Sequence, residues 1–303
     1  MLKHILKRLV IAVFVLLAFS FVLYGIMYVL LVFVYGRLGF NFLGGYFRWL
    51  GYVLRGDLGY STRFQMPVAD VLLDHMWYSF VLVGASVVIA YVIAIPLGLR
   101  AGAKQYSKFD FVSSTLVLIG ISFPVFFLAP IFIRLLSVEL GLFPVSGVVS
   151  AYVPDNASGF ERFLDRVWHM ILPILTMTII NIGGLMRYTR INTIEVMQND
   201  YIRTARAMGL SDQSIVYKHT FKNTTIPMIS FLTGVLPMIF AGNLIVEQIF
   251  GFPGIGFMAF RALRSGDLNL FIGYTIFIGV LTVLGVLIAD IAYVAVDPRV
   301  RMN

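Results

Sequence analysis

Six long apolar stretches alternate with shorter polar ones along the chain, at residues 9–34, 77–99, 111–136, 170–187, 226–250 and 271–296. Each reaches the length of about 17–25 residues that a helix needs to cross a bilayer. The pattern predicts an all-α polytopic membrane protein of six transmembrane helices. Lys3, Lys7 and Arg8 precede the first stretch, the charge order of a secretory signal. Such a signal has an apolar core of only about 7–15 residues, so residues 9–34 are read as an uncleaved span with its N-terminus inside. Pro96 lies near the inner end of the second stretch, Pro124 and Pro130 inside the third, and Pro227 and Pro237 inside the fifth. Each proline removes a helical hydrogen bond and predicts a bend. A structural bend is favoured over a gating hinge, although Ser122, Phe123 and Pro124 could line a pathway.

The polar stretches differ in kind. Residues 35–75 carry Tyr46, Phe47 and Trp49, which suit an interfacial helix on the outer face. Residues 137–168 are rich in Gly, Pro and Ser and form a second outer loop; their Asn156-Ala157-Ser158 sequon matters only in a host that glycosylates. Residues 199–227 are basic. There Ile194, Met197, Tyr201, Ala205 and Met208 recur at helical spacing, Asn199 or Asp200 can cap a short helix, and Gly209 can end it. Ser211 offers a second N-cap, with Asp212 in the turn that follows. The stretch therefore predicts helix, glycine break, helix, which an ordinary cytoplasmic loop could also contain. Glu247 stands at the outer end of the fifth span, where a structural role in a re-entrant turn is favoured over a gate. Asp290 lies about two turns inside the inner end of the sixth, shallow enough for a paired structural role.

Composition removes several function classes. Of 303 residues 59% are hydrophobic and 13% charged, with mean hydropathy +0.90, whereas a soluble domain carries about a quarter charged residues. The net charge of +8 comes from short basic runs between spans, so it points to the positive-inside rule and not to nucleic acid. Fourteen Lys and Arg fall on the expected inner side and eight on the outer, with Arg134 inside the third span. There is no cysteine, and the four histidines form no close-spaced ligand pair. No Walker A loop, H-E-x-x-H or G-x-S-x-G sequence occurs, so neither ATP hydrolysis nor these hydrolase chemistries are expected, and no cofactor is implied. An ion-coupled secondary transporter would carry midplane ionisable groups and internal repeats, and neither is evident.

The segment DYIRTARAMGLSDQSIVYKHTFKN, beginning at Asp200, resembles the cytoplasmic "EAA" loop of ABC importer permeases, in the form found in the dipeptide/oligopeptide and nickel importer subfamily. Ala205 and Gly209 match the general pattern; Arg203 and Thr204 replace its Glu and first Ala, as is usual in that branch. The segments near 46–68, 246–256 and 290–301 are similar to the same family. The resemblance implies a type I ABC importer transmembrane fold, with a first helix and outer loop over 1–75, a transmembrane domain over 76–296, its coupling loop at about 191–224, and a cytoplasmic tail over 297–303. It implies a permease subunit that is not itself an enzyme, in the cell membrane with both termini cytoplasmic. Its partners would be a homologous second permease, two ATPase subunits and an external substrate-binding protein. Peptides are the expected cargo, with nickel or another small solute as the alternative. Tyr201, Ala205 and Met208 would form the docking face of the coupling helix, with Arg203, Thr204 and Arg206 beside it and Gly209 as its break. Ser122, Pro124, Asn243 and Glu247 are the candidates for a pathway or gate.

Because the chain has no native cysteine, single introduced cysteines report topology cleanly. Probes at Ser211 and Asn303 are expected to react only from the cytoplasm, and probes at Ser61 and Ser158 only from outside. Labelling of Ser211 from outside would rule out an ATPase contact at this loop.

Overall fold

A computed structural model describes residues 2–36, 41–150, 154, 157–225 and 232–296. The tail 297–303, Pro227 with the start of the fifth apolar stretch, and Asn156 of the sequon lie outside the described residues. Helix α1 (Leu2–Tyr35) is followed by α2 (Phe42–Leu54), a hairpin of β1 (Tyr60–Ser61) and β2 (Met66–Pro67), and α3 (Val68–Ala103). Next come α4 (Lys108–Ser122) and α5 (Val125–Phe132), which widens into a π-helical stretch, Ile133–Glu139. The long α6 (Gly159–Met197) leads to α7 (Asp200–Ala207), α8 (Asp212–Ser214), a second π-helical stretch (Ile215–Thr220) and α9 (Phe221–Thr225). The remaining helices are α10 (Leu232–Ala241), α11 (Leu244–Ile249), α12 (Ile255–Ser265) and α13 (Leu268–Val296).

Among the described residues, four helices are long and apolar enough to cross a membrane: Lys7–Phe33 within α1, α3, α6, and Leu268–Ile291 within α13. They correspond to the first, second, fourth and sixth predicted stretches. The third is not a straight span. Its two halves, α4 and Val125–Glu139, meet at a 99° bend. The proline ring at 124 excludes the preceding residue from helical geometry, and Phe123 accordingly sits in extended backbone at φ −87°, ψ 121°. The fifth stretch is also interrupted, at Gly242 and Asn243, where Gly242 takes a left-handed φ of 74°. Helix α6 is longer at both ends than the 170–187 expected, and it includes the last residues expected in a second outer loop and the first of those expected in a coupling loop. It begins at a capping box that the apolar pattern passes over. Ser158 Oγ accepts the Glu161 N–H at 3.2 Å, and Glu161 accepts the Ser158 N–H at 2.8 Å.

The chain divides into two compact units. The first combines Met1–Ser79, Leu232–Leu244 and Pro253–Asn303, which brings the N-terminal helix together with α13. Two contacts explain this. Helix α1 packs on α13 where the Phe19 ring fills the space a side chain at Gly279 would need. Nearer the start of α1, Arg8 Nη1 stands 3.2 Å from Asp290 Oδ2, an ion pair without the alignment of a hydrogen bond. Helix α2 lies on α1 through aromatic edges, with Tyr24 against Phe42, Tyr46 and Trp49, and with Tyr46 Oη 2.9 Å from Ser20 Oγ.

The hairpin is fastened by Asp267, a fully buried carboxylate. Gly266, at φ 73°, ends α12, and the Asp267 N–H returns to the Ala262 carbonyl at 2.9 Å. Asp267 then caps α13 by accepting the Leu270 N–H at 3.2 Å, and takes Ser61 Oγ at 2.6 Å and the Arg63 N–H at 3.1 Å. Below it Val68, Val71, Leu72, Ile255, Ala262 and Leu270 form an apolar core. Ser61 is fully buried by this bond, so a cysteine there is a poor topology probe; the neighbouring Thr62 is exposed.

The second unit, Phe80–Phe231 with Ile245–Phe252, is built around α6. Helix α3 meets it through Gly98 and Gly102, one turn apart. A Cβ at Gly98 would lie 2.7 Å from the Met186 carbonyl oxygen, and one at Gly102 2.7 Å from that of Arg190. Small residues at this spacing let two membrane helices approach backbone to backbone. Ala94, Ala101, Leu185 and Met186 complete the core of the seam. On another side of α6, Ile121 of α4 occupies the space above Gly183.

Replacing Asp267 by Ala removes a helix cap and the acceptor for two further donors, a loss on the order of 2–4 kcal/mol. The midpoint of thermal unfolding in detergent, followed by tryptophan fluorescence, is expected to fall, and trypsin should cut faster after the exposed Arg63. Unchanged cleavage at Arg63 would show that the carboxylate does not anchor the hairpin.

Candidate functional site

Helix α7 and its neighbours form the most polar helical segment of the second unit. Asn199 occupies the N-cap position with extended backbone, φ −71° and ψ 148°, but its side chain accepts no capping bond. Its amide turns back to the Val196 carbonyl at 3.2 Å, which closes the end of α6 instead. Asp200 lies in the first turn, where its charge suits the helix dipole, and makes an exposed ion pair with Arg203 at 3.6 Å. Gly209 ends the segment at φ 80°. The Gly209 N–H meets the Arg206 carbonyl at 2.9 Å, and the Leu210 N–H meets the Ala205 carbonyl at 3.3 Å. That pair of bonds is the Schellman arrangement, which requires a left-handed residue. Ser211 Oγ then accepts the Ser214 N–H at 3.3 Å and starts α8.

The orientation of α7 differs from the predicted stripe. Ala205 is only 2% exposed and packs with Ile202 and Ile215, both fully buried, against Met197 of α6. Tyr201 and Met208, expected on the same face as Ala205, are exposed, Met208 to 69%. Ala205 therefore belongs to the inner side of the helix. The Tyr201 hydroxyl accepts the Asn223 amide at 2.9 Å, so the ring is tied sideways to α9. Arg203, Thr204, Arg206 and Met208 remain on the outward side, with the half-exposed Tyr217 nearby in sequence beyond Gly209. Ile202 is the residue that the apolar pattern missed. In an eight-residue helix Tyr201 and Ile202 are adjacent, and a stripe can be drawn through either.

The π-helical stretch after α8 is braced from within. Thr220 is fully buried, and its hydroxyl lies 3.0 Å from the Ile215 carbonyl and 3.3 Å from Met197 Sδ. One turn of wider helix thus connects α7's inner core to the end of α6.

The pathway candidates lie at the two helix breaks. Ser122 and Pro124 are exposed beside the 99° bend, and Ser122 Oγ donates to the Leu118 carbonyl at 2.7 Å. Asn243 lies in the break between α10 and α11 and is half-buried. Glu247 is 1% exposed within α11, beside buried Val246, Phe250 and Phe252, and its carbonyl accepts the Phe252 N–H at 2.8 Å. That environment makes Glu247 part of the folded turn after α11, while Gly251, at φ 68°, lets the chain reverse against Ser146 and Gly147. Among the described residues no group of three His, Asp or Glu could hold a metal.

Comparison with known proteins bears on the family and not on these residues. The profile of the family described as "binding-protein-dependent transport system inner membrane component" matches residues 94–302. An oligopeptide transport system permease protein of Bacillus subtilis, AppB, is 36% identical over 84% of this chain and 79% of its own length. The dipeptide transport system permease protein DppB of Escherichia coli K12 is 32% identical over 84% of this chain and 80% of its own. Among solved structures, a chain of the MetNI methionine ABC transporter in an inward-facing conformation superposes with a TM-score of 0.59 at 18% identity, over 75% of this chain and 96% of that one. It shares the fold.

A Cβ at Gly209 would meet no atom within 4 Å, so any penalty there is one of backbone strain. Gly209→Val is expected to cost about 1–3 kcal/mol locally, whereas Gly209→Asn, which tolerates the left-handed region, should cost little. Hydrogen–deuterium exchange over residues 200–216 should quicken in the first variant and stay near wild type in the second. Equal exchange in both would mean that the turn does not depend on its glycine.

Proposed function

The chain belongs to the family of binding-protein-dependent transport system inner membrane components, and from that membership we propose that it conducts peptides together with a homologous, non-identical permease. As a member it is a multi-pass permease subunit of an ATP-driven ABC importer, with ATP hydrolysis on separate ATPase subunits and cargo delivered by a substrate-binding protein. The observation that carries the peptide reading is the likeness to two permeases named for oligopeptide and dipeptide transport, over about four fifths of their lengths.

In this reading both termini and α7 are cytoplasmic, a placement supported by the excess of Lys and Arg on that side. Helix α7 is the coupling helix. Arg203, Thr204, Arg206 and Met208, with the edge of Tyr201, meet a groove on the ATPase. Ala205 acts from beneath with Ile202, holding the helix to α6, and Gly209 sets where it ends. Closure of the ATPases around ATP supplies the free-energy difference between inward- and outward-open states, and α7 receives it. Ser122 and Pro124, at the sharp bend, are the foremost candidates for a moving part of the pathway. Asn243 flanks the second break, and Glu247 acts by holding the outer turn.

The test is the reconstituted complex of this chain, the second permease, the ATPases and the binding protein in liposomes. Peptide uptake is expected only with ATP and loaded binding protein. Arg203→Glu with Arg206→Glu should leave membrane insertion intact and reduce co-purified ATPase at least tenfold, about 1.4 kcal/mol or more of docking free energy. Uptake of Ni²⁺ but not of peptides would replace the cargo. Uptake driven by a proton or sodium gradient, with no ATPase present, would overturn the reading as a whole.

A further inference from the structure

The inner half of α6 is gripped on two sides, over about the last three turns. Met186, Thr189, Arg190 and Thr193 follow the spacing i, i+3, i+4 and i+7, so they share one flank of the helix. Gly98 lies under Thr189 and the Met186 carbonyl, and Gly102 under Thr193 and the Arg190 carbonyl. The threonine hydroxyls are turned back onto their own helix, Thr189 to Leu185 at 2.8 Å and Thr193 to Thr189 at 2.7 Å, which leaves their methyl groups against the glycines. From this flank Arg190 reaches Asp110 in the first turn of α4. Arg190 Nε donates to Asp110 Oδ1 at 2.6 Å and Nη2 donates to Oδ2 at 2.8 Å, a two-pronged pair with Asp110 buried. Asp110 also accepts the Tyr106 N–H at 3.0 Å and the Ser114 hydroxyl at 3.2 Å.

Arg190 therefore joins three elements. Its carbonyl faces Gly102 of α3, its guanidinium fixes α4, and its own helix continues for two turns to Met197 beneath α7. We infer that Arg190 is a positioning residue for coupling: with Asp110 and the Gly98–Gly102 seam it makes the inner ends of α3, α4 and α6 one rigid body, through which a push on α7 reaches the bend at Ser122–Pro124. The inference rests on α7 being the coupling helix.

Physical economy supports this assignment. A buried ion pair is a poor source of stability, since neutral groups of similar volume often serve as well or better. What a planar, two-pronged pair supplies is orientation as well as distance. The pair stands where orientation matters, because a sliding or rolling α6 would absorb a displacement of α7 instead of passing it to α4. Close glycine contacts resist sliding, and the fork at Asp110 resists rolling. The site is also stiff at its other end, where Asn199, Ile202 and Ala205 fasten α7 to the last turns of α6 and Thr220 fastens the π-helical stretch to the same Met197.

The experiment uses the reconstituted complex and compares Arg190→Gln, Arg190→Lys and the double variant Asp110→Asn/Arg190→Gln. The single Gln variant strands a buried carboxylate and can fail to fold. The double variant removes both charges, keeps an acceptor for Tyr106, and so decides the matter. It is expected to fold, to retain its ATPases and to hydrolyse ATP near the wild-type rate, while peptide taken up per ATP falls about tenfold, within the usual range of coupling free energies. Arg190→Lys, which keeps the charge and loses the fork, should fall between. A purely structural role would lower hydrolysis and uptake in the same proportion, and that result overturns the inference, as does wild-type uptake per ATP in the double variant. Failure of the underlying reading is visible separately, as a wild-type complex that retains no ATPase.

Discussion

Inside hydrocarbon no water is present to take a backbone N–H or carbonyl, so wherever this chain leaves a helix it must bring its own partner. The structure is largely an account of how it does so. At the junction of α12 and α13 the left-handed Gly266 returns two N–H groups to α12, and the Asp267 carboxylate then starts α13. The same left-handed turn recurs in the exposed, polar segment after α7, where water could serve instead: Gly209 ends that helix without a carboxylate, and the next helix starts on a serine hydroxyl. At the bend between α4 and α5 the break falls on a proline, a residue with no N–H to leave unpaired. Among the described residues, the break at Pro124 is the one that bends two apolar helices sharply, by 99°.

Side chains obey the same constraint. Thr176, Thr189 and Thr193 are all buried in α6 and all donate to the carbonyl one turn back. A threonine so bonded presents only methyl and Cβ to its neighbour, which lets α6 pack on glycine without an orphaned hydroxyl. The charged pairs are the exception that sets register. Arg190 with Asp110 and Arg8 with Asp290 each link helices remote in sequence, one pair within each compact unit. Apolar contacts between spans are nearly interchangeable with lipid contacts, so they do not specify a single alignment. A charge with one partner does.

This division explains what could be read in advance. The four straight spans were legible because hydropathy over about 20 residues measures the same transfer free energy that inserts them. The helix–glycine–helix of the polar loop was legible because Gly209 and Ser211 act within a turn of themselves. The angle at Pro124 was not, since a proline announces a bend without fixing its size. Asp110 and Arg190 are eighty residues apart, and Ser61 and Asp267 more than two hundred, so nothing local marks them as partners. Gly98 and Gly102 did carry a local signal, the small-xxx-small spacing, but within an apolar span it competes with many chance recurrences of Gly and Ala.

The inner and outer faces of α7 show why choosing its apolar stripe was harder than finding the helix. A helix that passes force must be held more firmly to its own chain than to whatever docks on it, or it would stay behind when the partner moves. Burying an isoleucine contributes about 1.5–3 kcal/mol, and the inner face buries Ile202 against Ile215 of the π-helical stretch, with Ala205 closing the gap between them. The outer face carries Arg203, Arg206 and the exposed Met208, groups suited to reversible contact in water. The two faces therefore differ in the kind of free energy they use, and not merely in sequence position. It follows that Ala205→Glu, which at first sight probes docking, would drive a charge into the chain's own core and detach α7 from α6. Under the proposed coupling role, only substitutions at Arg203, Arg206 and Met208 separate the strength of docking from the stiffness of the helix.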